Sequence, residues 1–418
     1  TIDVALAEDA SKLEEVVVVG YGQQKRVNLT GSVAAVDEEA LEDRNVQNAF
    51  QALQGQAAGL QISQNSGAPG NEGLNINIRG LNSFGSNNSP LVLIDGVEGN
   101  LQDLDPSVIS SISVLKDASS AAIYGSRAAN GVILVTTKSG GNNVFKIEYN
   151  GSVSTETFTK VPQMISNSAD YMTLMNQALI NTPGASANPY PQEVIDAYRN
   201  NQGNPAYPNT DWFDVLFKDS YAYTNTFSIS SGTDKARYRA SISYLSDEGQ
   251  TVADKAKNLT ANLNADFNIS KDFTVGFKLT GNVRDQRIAA SQDREFDALS
   301  GVFERNFDIN PFNFALYSSR SMTPYDENGD LQFFRRNYAP FNILHEIDNN
   351  YTDLSLVDVS LQTNLDWKIN DALTAKTVLQ GRWYRSNAIQ TVHENSNNAE
   401  AYRADNPLIR NQNIFLFD

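Results

Sequence analysis

The strongest constraint on this chain is a two-residue alternation that runs longer than a soluble strand needs. Leu259, Ala261, Leu263, Ala265, Phe267 and Ile269 interleave with Thr260, Asn262, Asn264, Asp266 and Asn268. Phe273, Val275, Phe277 and Leu279 interleave with Thr274, Gly276, Lys278 and Thr280. Residues 238–244 and 357–369 repeat the pattern, and residues 145–153, 221–229 and 373–383 carry weaker versions. Successive side chains of a strand point to opposite faces, so each run has one apolar and one polar face. The pattern predicts about seven antiparallel strands of roughly 9–15 residues, against ~5–6 for a common soluble strand and ~9–11 for a tilted membrane strand.

The connections between these strands alternate in length. "SGTDKA", "ISKD" and "IND" are short, "SDEGQTVADKAK" is medium, and residues 156–219 and 288–350 are long. Transmembrane barrels alternate tight turns at one rim with longer loops at the other. The predicted topology puts 232–235, 270–272 and 370–371 on one rim, and 156–219, 247–256 and 288–350 on the other. The apolar series from Leu259 to Ile269 and from Phe273 to Leu279 then faces lipid, and the even series faces a wet lumen. A secreted β-sandwich is the alternative. No apolar run is long enough for a transmembrane helix, which leaves a barrel possible.

Residues 25–141 have a different texture, that of a small α+β domain around a mixed sheet. Asn45 can cap a helix carrying Val46, Phe50 and Leu53, with Gly55 as its stop. Leu74, Ile76 and Ile78 alternate with polar residues. "LVLID" is a short buried strand ended by Gly96. Asp105 followed by Pro106 signals a helix start. Asp117 can cap a second helix over 118–124, ended by Gly125, and "GVILVTTK" is a further strand. Ahead of this domain, "LEEVVVVGYGQQK" at 13–25 holds four consecutive valines. Its flanks "EDASKLEE" and "QQKR" read as charged loop, so the run stands alone; a strand of the domain's own sheet is the alternative.

Enzyme chemistry has little to work with. The sequence has no Cys, and only His345 and His393 supply imidazole, neither in a zinc motif. "DENGD" at 326–330 has its Gly too early for a calcium loop and reads as a β-turn. No cofactor or metal site is predicted. A formal charge of −17 argues against nucleic acid as a partner.

The specific motifs are "NINIRG" (75–80), "PLVLIDG" (90–96) and "ISSISVLKDASSAAIYGSRAANGVILVTTK" (109–138). Together they resemble the plug of TonB-dependent outer-membrane transporters. "KDA" and "YGSRAANGVI" resemble the SusC/RagA family in particular. The matching positions are Arg79, Gly80, Asp95, Gly96, Lys116, Asp117, Tyr124, Gly125, Arg127 and Gly131. "EEVVVVGYG" resembles the TonB box, with Glu15, Val16, Val17, Val18, Val19, Gly20 and Tyr21 as the contact residues. "TIDVALAED" resembles the last strand of a carboxypeptidase-regulatory-like domain.

The resemblance implies a domain order: 1–10 the tail of that upstream domain, 11–24 TonB box and linker, 25–141 plug, 142–418 the N-terminal part of a barrel. It implies a non-enzymatic importer of an oligosaccharide or peptide in the Gram-negative outer membrane. Its partners would be TonB with ExbB and ExbD, outer-membrane lipid, and a SusD-like surface lipoprotein as lid. A signal transducer is the rival within the membrane class. Such barrels have about 22 strands, so about seven imply an excerpt of a longer transporter. The plug must be held by reversible contacts, and Arg79 or Arg127 is expected to pair with barrel carboxylates; local structure is the alternative. The valine run would pair with TonB as an added strand.

Overall fold

The computed structural model describes residues 16–19, 22–25, 32–42, 48–64, 67–70, 74–80, 88–141, 145–182, 190–289, 295–297, 302–304, 310–336, 339–393, 396–397 and 414–417. The first element is a hairpin of β1 (Val16–Val19) and β2 (Gly22–Lys25). The valine run therefore does not stand alone, because the flank read as loop pairs with it. Nor does it join the plug sheet, whose strands are separate.

The plug contains β3 (Val33–Asp37), α1 (Glu38–Glu42), α2 (Ala49–Leu53), β4 (Leu60–Gln64), β5 (Leu74–Ile78), β6 (Leu91–Ile94) and β7 (Val97–Glu98). It continues with β8 (Ile109–Leu115), α3 (Ala118–Ala121) and β9 (Val132–Thr137). Its main sheet has the order β3-β8-β9-β6-β7, with β6 parallel to β9 and the other pairs antiparallel. This is the mixed sheet expected; β4 and β5 form a second, two-stranded sheet. β9 is apolar on both faces because both are covered: Val132, Ile133, Leu134 and Val135 are all buried. Ile133 and Val135 join Ile112, Leu53 and Phe50 on one side, while Val132 and Leu134 join Leu93, Leu115 and Ala128 on the other.

Two helix boundaries differ from the sequence reading. The cap of α2 is Asn48, whose side chain accepts from the Gln51 N–H at 2.9 Å; Asn45 lies outside the described residues. Asp117 does cap α3, but Gly125 does not end the helical run. A 3-10 turn covers Ala122–Ala128, and Gly125 kinks it at φ 63°, ψ −149°, a region closed to residues with a Cβ. Gly80, Gly96, Gly125 and Gly131 all have positive φ.

The second part is one antiparallel wall. β10 (Lys146–Glu156) leads, outside the plug. Three loop helices follow: α4 (Ser168–Ile180), α5 (Gln192–Asn200) and α6 (Trp212–Leu216). Next come β11 (Ser220–Gly232), β12 (Ala236–Glu248), β13 (Lys255–Ser270) and β14 (Phe273–Ala289). The next long loop holds hairpins β15 (Glu295–Asp297) with β16 (Val302–Glu304) and β17 (Phe334–Arg336) with β18 (Ala339–Phe341), plus α7 (Pro311–Tyr317) and α8 (Ile343–Asn349). β19 (Asn350–Asn370), β20 (Leu373–Val392) and β21 (Ile414–Phe417) complete the wall. All seven expected strands are present, and β21 is an eighth. They pair in chain order, and the sheet does not close among the described residues. Among the described residues no second wall sheet stacks on it, as a sandwich would require; the plug lies against its inner face, reached from β11, β13, β14 and β19.

The two faces of the wall are as the alternation requires. Leu263, Leu279 and Leu361 are cross-strand neighbours on the outer face and stay exposed. Asn264, Lys278 and Gln362 form the corresponding inner row. The inner face differs from expectation in one respect: Thr260, Asn264 and Asn282 are buried, because plug rather than water covers much of it.

The long loops share one rim. Trp212, Phe213 and Leu216 from the first pack with Ala253 from the second and Ala315, Phe341, Ile343 and Ile347 from the third. Val252 N–H donates to Leu216 O, and Thr210 N–H donates to Arg320 O.

Candidate functional site at the plug–wall seam

The seam is built around the tip of the β6–β7 hairpin. "LVLI" and "VE" flank a two-residue loop in which Asp95 has φ 51° and Gly96 φ 89°. Positive φ at both positions defines the turn that matches strand twist, and Asp-Gly is its favoured sequence. The turn aims the Asp95 carboxylate away from the plug core. Its Oδ2 accepts from Thr137 Oγ1 at 2.6 Å and its Oδ1 from the Thr137 N–H at 3.1 Å. Lys278 Nζ of β14 lies 2.8 Å from Oδ1, with side chains 21% and 8% exposed for Lys278 and Asp95.

The inner row supplies the rest. Asn264 Nδ2 of β13 donates to Thr137 Oγ1 at 2.8 Å and to Lys138 O at 2.6 Å. Gln362 Nε2 of β19 donates to Asp95 O at 3.1 Å and to Asn364 Oδ1 at 2.8 Å. Three cross-strand neighbours on three adjacent strands thus grip one corner of the plug. Two contacts lie away from this rung: Gln286 Nε2 donates to Pro69 O at 2.6 Å, and Thr226 Oγ1 donates to Asp105 Oδ2 at 2.7 Å. A hydrogen bond to a charged group contributes ~1.5–3 kcal/mol net and a neutral one about 1. Such a seam can hold and still be broken.

The charge arrangement reverses the expectation. Arg127 pairs with Glu98 on β7, inside the plug, with both side chains exposed. Its carboxylate partner among the described residues is thus on the neighbouring edge strand and not on the wall. Arg79 sits at φ 60° just after β5, its N–H donating to Gly59 O at 2.9 Å; no carboxylate among the described residues pairs with it. Among the described residues the cross-seam ion pair has its carboxylate on the plug and its cation on the wall.

The remaining motif residues hold the plug itself. Lys116 Nζ donates to Ala58 O at 2.8 Å. Tyr124 packs against the Leu93–Leu115 cluster. Asp117 accepts from the Ser120 N–H at 2.8 Å and from the Ser32 N–H. The Ser120 side chain, then the Ser32 and Ser120 backbone N–H groups, hold its carboxyl well below the usual carboxylate range. Val16–Val19 form β1, which lies beside β8 and β9; Glu15, Gly20 and Tyr21 lie outside the described residues.

At the loop rim, Arg320 is buried. Its guanidinium donates to Ile165 O at 2.9 Å and Ala315 O at 2.8 Å, tying two loops together. Among the loop aromatics, Trp212 is core and Tyr190 is half-buried, while Phe312, Tyr317 and Tyr325 are exposed. "DENGD" is the turn expected, with Asp326 Oδ1 accepting from the Asn328 and Asp330 N–H groups.

Lys278, Asn264 and Gln362 were not singled out by the sequence reading. Each is one polar residue among many on alternating strands. The signal that could have found their partner was Asp-Gly between two apolar runs, which marks a hairpin tip rather than a strand end.

The chain is similar to known proteins in sequence and in fold. The family described as TonB-dependent Receptor Plug Domain matches residues 25–132. A TonB-dependent receptor of Formosa agariphila is 38% identical over 293 residues, covering 68% of this chain and 28% of that protein. The TonB-dependent receptor SusC of Bacteroides thetaiotaomicron is 36% identical over 274 residues, covering 63% and 25%. The structure of the RagAB peptide importer in its open-open state superimposes with a TM-score of 0.74 at 27% identity, covering 90% of this chain and 43% of that one. The chain thus spans about a quarter of the length of these two curated relatives. Plug, wall and relatives together place it in a family: the chain belongs to the SusC/RagA-like TonB-dependent receptors of the Gram-negative outer membrane.

Proposed function

We propose that the protein imports a nutrient, an oligosaccharide or a peptide, across the outer membrane under a pull from TonB. The observation that carries this reading is the seam: a plug lies on the inner face of the wall and is held there by breakable polar contacts, with one ion pair among the described residues. A permanent structural domain would be sealed by apolar packing. β1 is the segment for TonB, powered by ExbB and ExbD. It lies outside the plug sheet, and among the described residues β2 is the strand that pairs with it, so an added strand can take its other edge. The packed loop rim with exposed Phe312, Tyr317 and Tyr325 is the surface that receives solute and a SusD-like lipoprotein lid. The named relatives are a peptide importer and receptors, and the reading assigns no bond-making chemistry to this chain.

Val17→Pro in the intact transporter tests it. Proline removes a backbone donor and fixes φ, so uptake is lost while outer-membrane abundance and solute binding persist. Val17→Thr keeps the branched shape and the donor, and uptake stays close to wild type. A parallel fall of abundance and uptake in the Pro variant would mean that β1 serves the fold instead.

A further inference from the structure

We propose that the Asp95–Lys278 pair is the latch of the plug, and that the solute path opens in the crevice beside it. The inference rests on the import reading and adds where the plug is held and where it gives way. Three observations meet here. The pair is the ion pair joining plug to wall among the described residues, and both side chains are largely withdrawn from water. It is braced from both neighbouring strands, since Asn264 holds Thr137, which in turn donates to Asp95, and Gln362 holds the Asp95 carbonyl. Next to it a crevice separates the plug from β14, β19 and β20, lined on the plug side by Ile94, Val97 and Glu98 and on the wall side by Asp358, Gln380 and Arg382.

The wall side of the crevice stands ready for a polar solute. Arg382 is bound by Asp358, with Nε to Oδ1 at 2.8 Å, and Gln380 donates to Ser360 Oγ at 2.8 Å. These contacts are within the wall and remain when the plug shifts. The Asp95–Lys278 contact spans the gap and does not. Releasing it frees the β6–β7 tip, which forms the plug side of the crevice.

The test measures passive entry of vancomycin, a large hydrophilic antibiotic excluded by an intact outer membrane. The intact transporter is expressed in cells lacking TonB, and entry is normalised to its outer-membrane abundance. Without TonB the leak reports the latch alone, so its failure is distinguishable from failure of the import reading. Lys278→Met is expected to raise entry about tenfold, equivalent to about 1.4 kcal/mol. Asp95→Asn keeps a side chain that tolerates positive φ and should raise entry by a similar factor. The double variant should leak no more than either single one, because both remove the same contact. Lys278→Arg, which keeps the cation, should restore most of the seal. If Lys278→Met lowers abundance, Asp95→Asn carries the test. Unchanged entry in the single variants overturns the latch. So does a double variant whose leak is the product of the two, or an Arg variant as leaky as Met.

Discussion

A charge placed at Leu263 probes the outer face of the wall, and its cost can be worked from position. Leu263 lies on β13 (Lys255–Ser270), on the outer face, 39% exposed, between Ala240 and Leu279 on the adjacent strands. A span of ~9–11 residues counted back from the Ser270 turn puts the bilayer midplane within a few residues of it. A Lys at the midplane of a lipid-facing strand costs ~2–4 kcal/mol, and near the interface ~0–1. Ile269 is the matched control. It lies on the same face of the same strand and is 65% exposed. Six residues further on at ~3.3 Å each is about 20 Å along the strand. At a tilt near 45° that is about 14 Å along the membrane normal, which reaches the edge of an apolar band ~25 Å tall. Folding of the intact protein into lipid vesicles against urea should therefore show Leu263→Lys destabilised by ~2–4 kcal/mol and Ile269→Lys by under about 1. Equal costs at the two positions would refute the depth assignment. A neutral Leu263→Lys would refute the lipid face itself.

Removing the Asp117 cap with Asp117→Ala should cost the plug about 1 kcal/mol, read as faster proteolysis of α3 and β3. The native Asp117 carboxyl titrates below its unfolded value, so its contribution is complete above about pH 4 and is lost as acid protonates it. The difference in plug protection between wild type and Asp117→Asn should thus be constant near neutrality and shrink below about pH 4. On intact cells, an impermeant maleimide should label Tyr317→Cys at the loop rim but not Lys271→Cys at a short turn; equal labelling of both would reject the assigned sidedness.

The wall was legible because a half-buried strand writes its two faces into the sequence residue by residue. Leu259 to Ile269 could be read as a strand without knowing what it touched. The extension of β19 to Asn350 was not legible, since "NYTDLSLV" breaks the alternation and the hydrogen bonds of β20 hold it in the ladder. β21 is a four-residue stub without enough periods to show. In the plug, β3 and β4 are short, and their burial patterns do not alternate cleanly. The seam was the least legible part. Charge alone suggested Arg79 and Arg127, but whether a cation meets the wall depends on which hairpin tip reaches it. That is set by docking and register: a one-residue slip of β14 would turn Lys278 outward and bring Phe277 or Leu279 to face Asp95.

The strand order of the plug sheet also sets how it transmits load. The N-terminal hairpin precedes β3, and β3 is the sheet's edge strand. Tension arriving at Ser32 first strains its bond to Asp117, then the five register pairs between β3 and β8. Asp95 is on the far side, beyond β8 and β9. Links in series fail at the first weak one, and a short edge strand is weaker than the sheet behind it. Under the TonB pull proposed above, the plug would strip from one margin, its deformation travelling strand by strand toward the wall, and the work would be spread over distance before the last anchorage felt it.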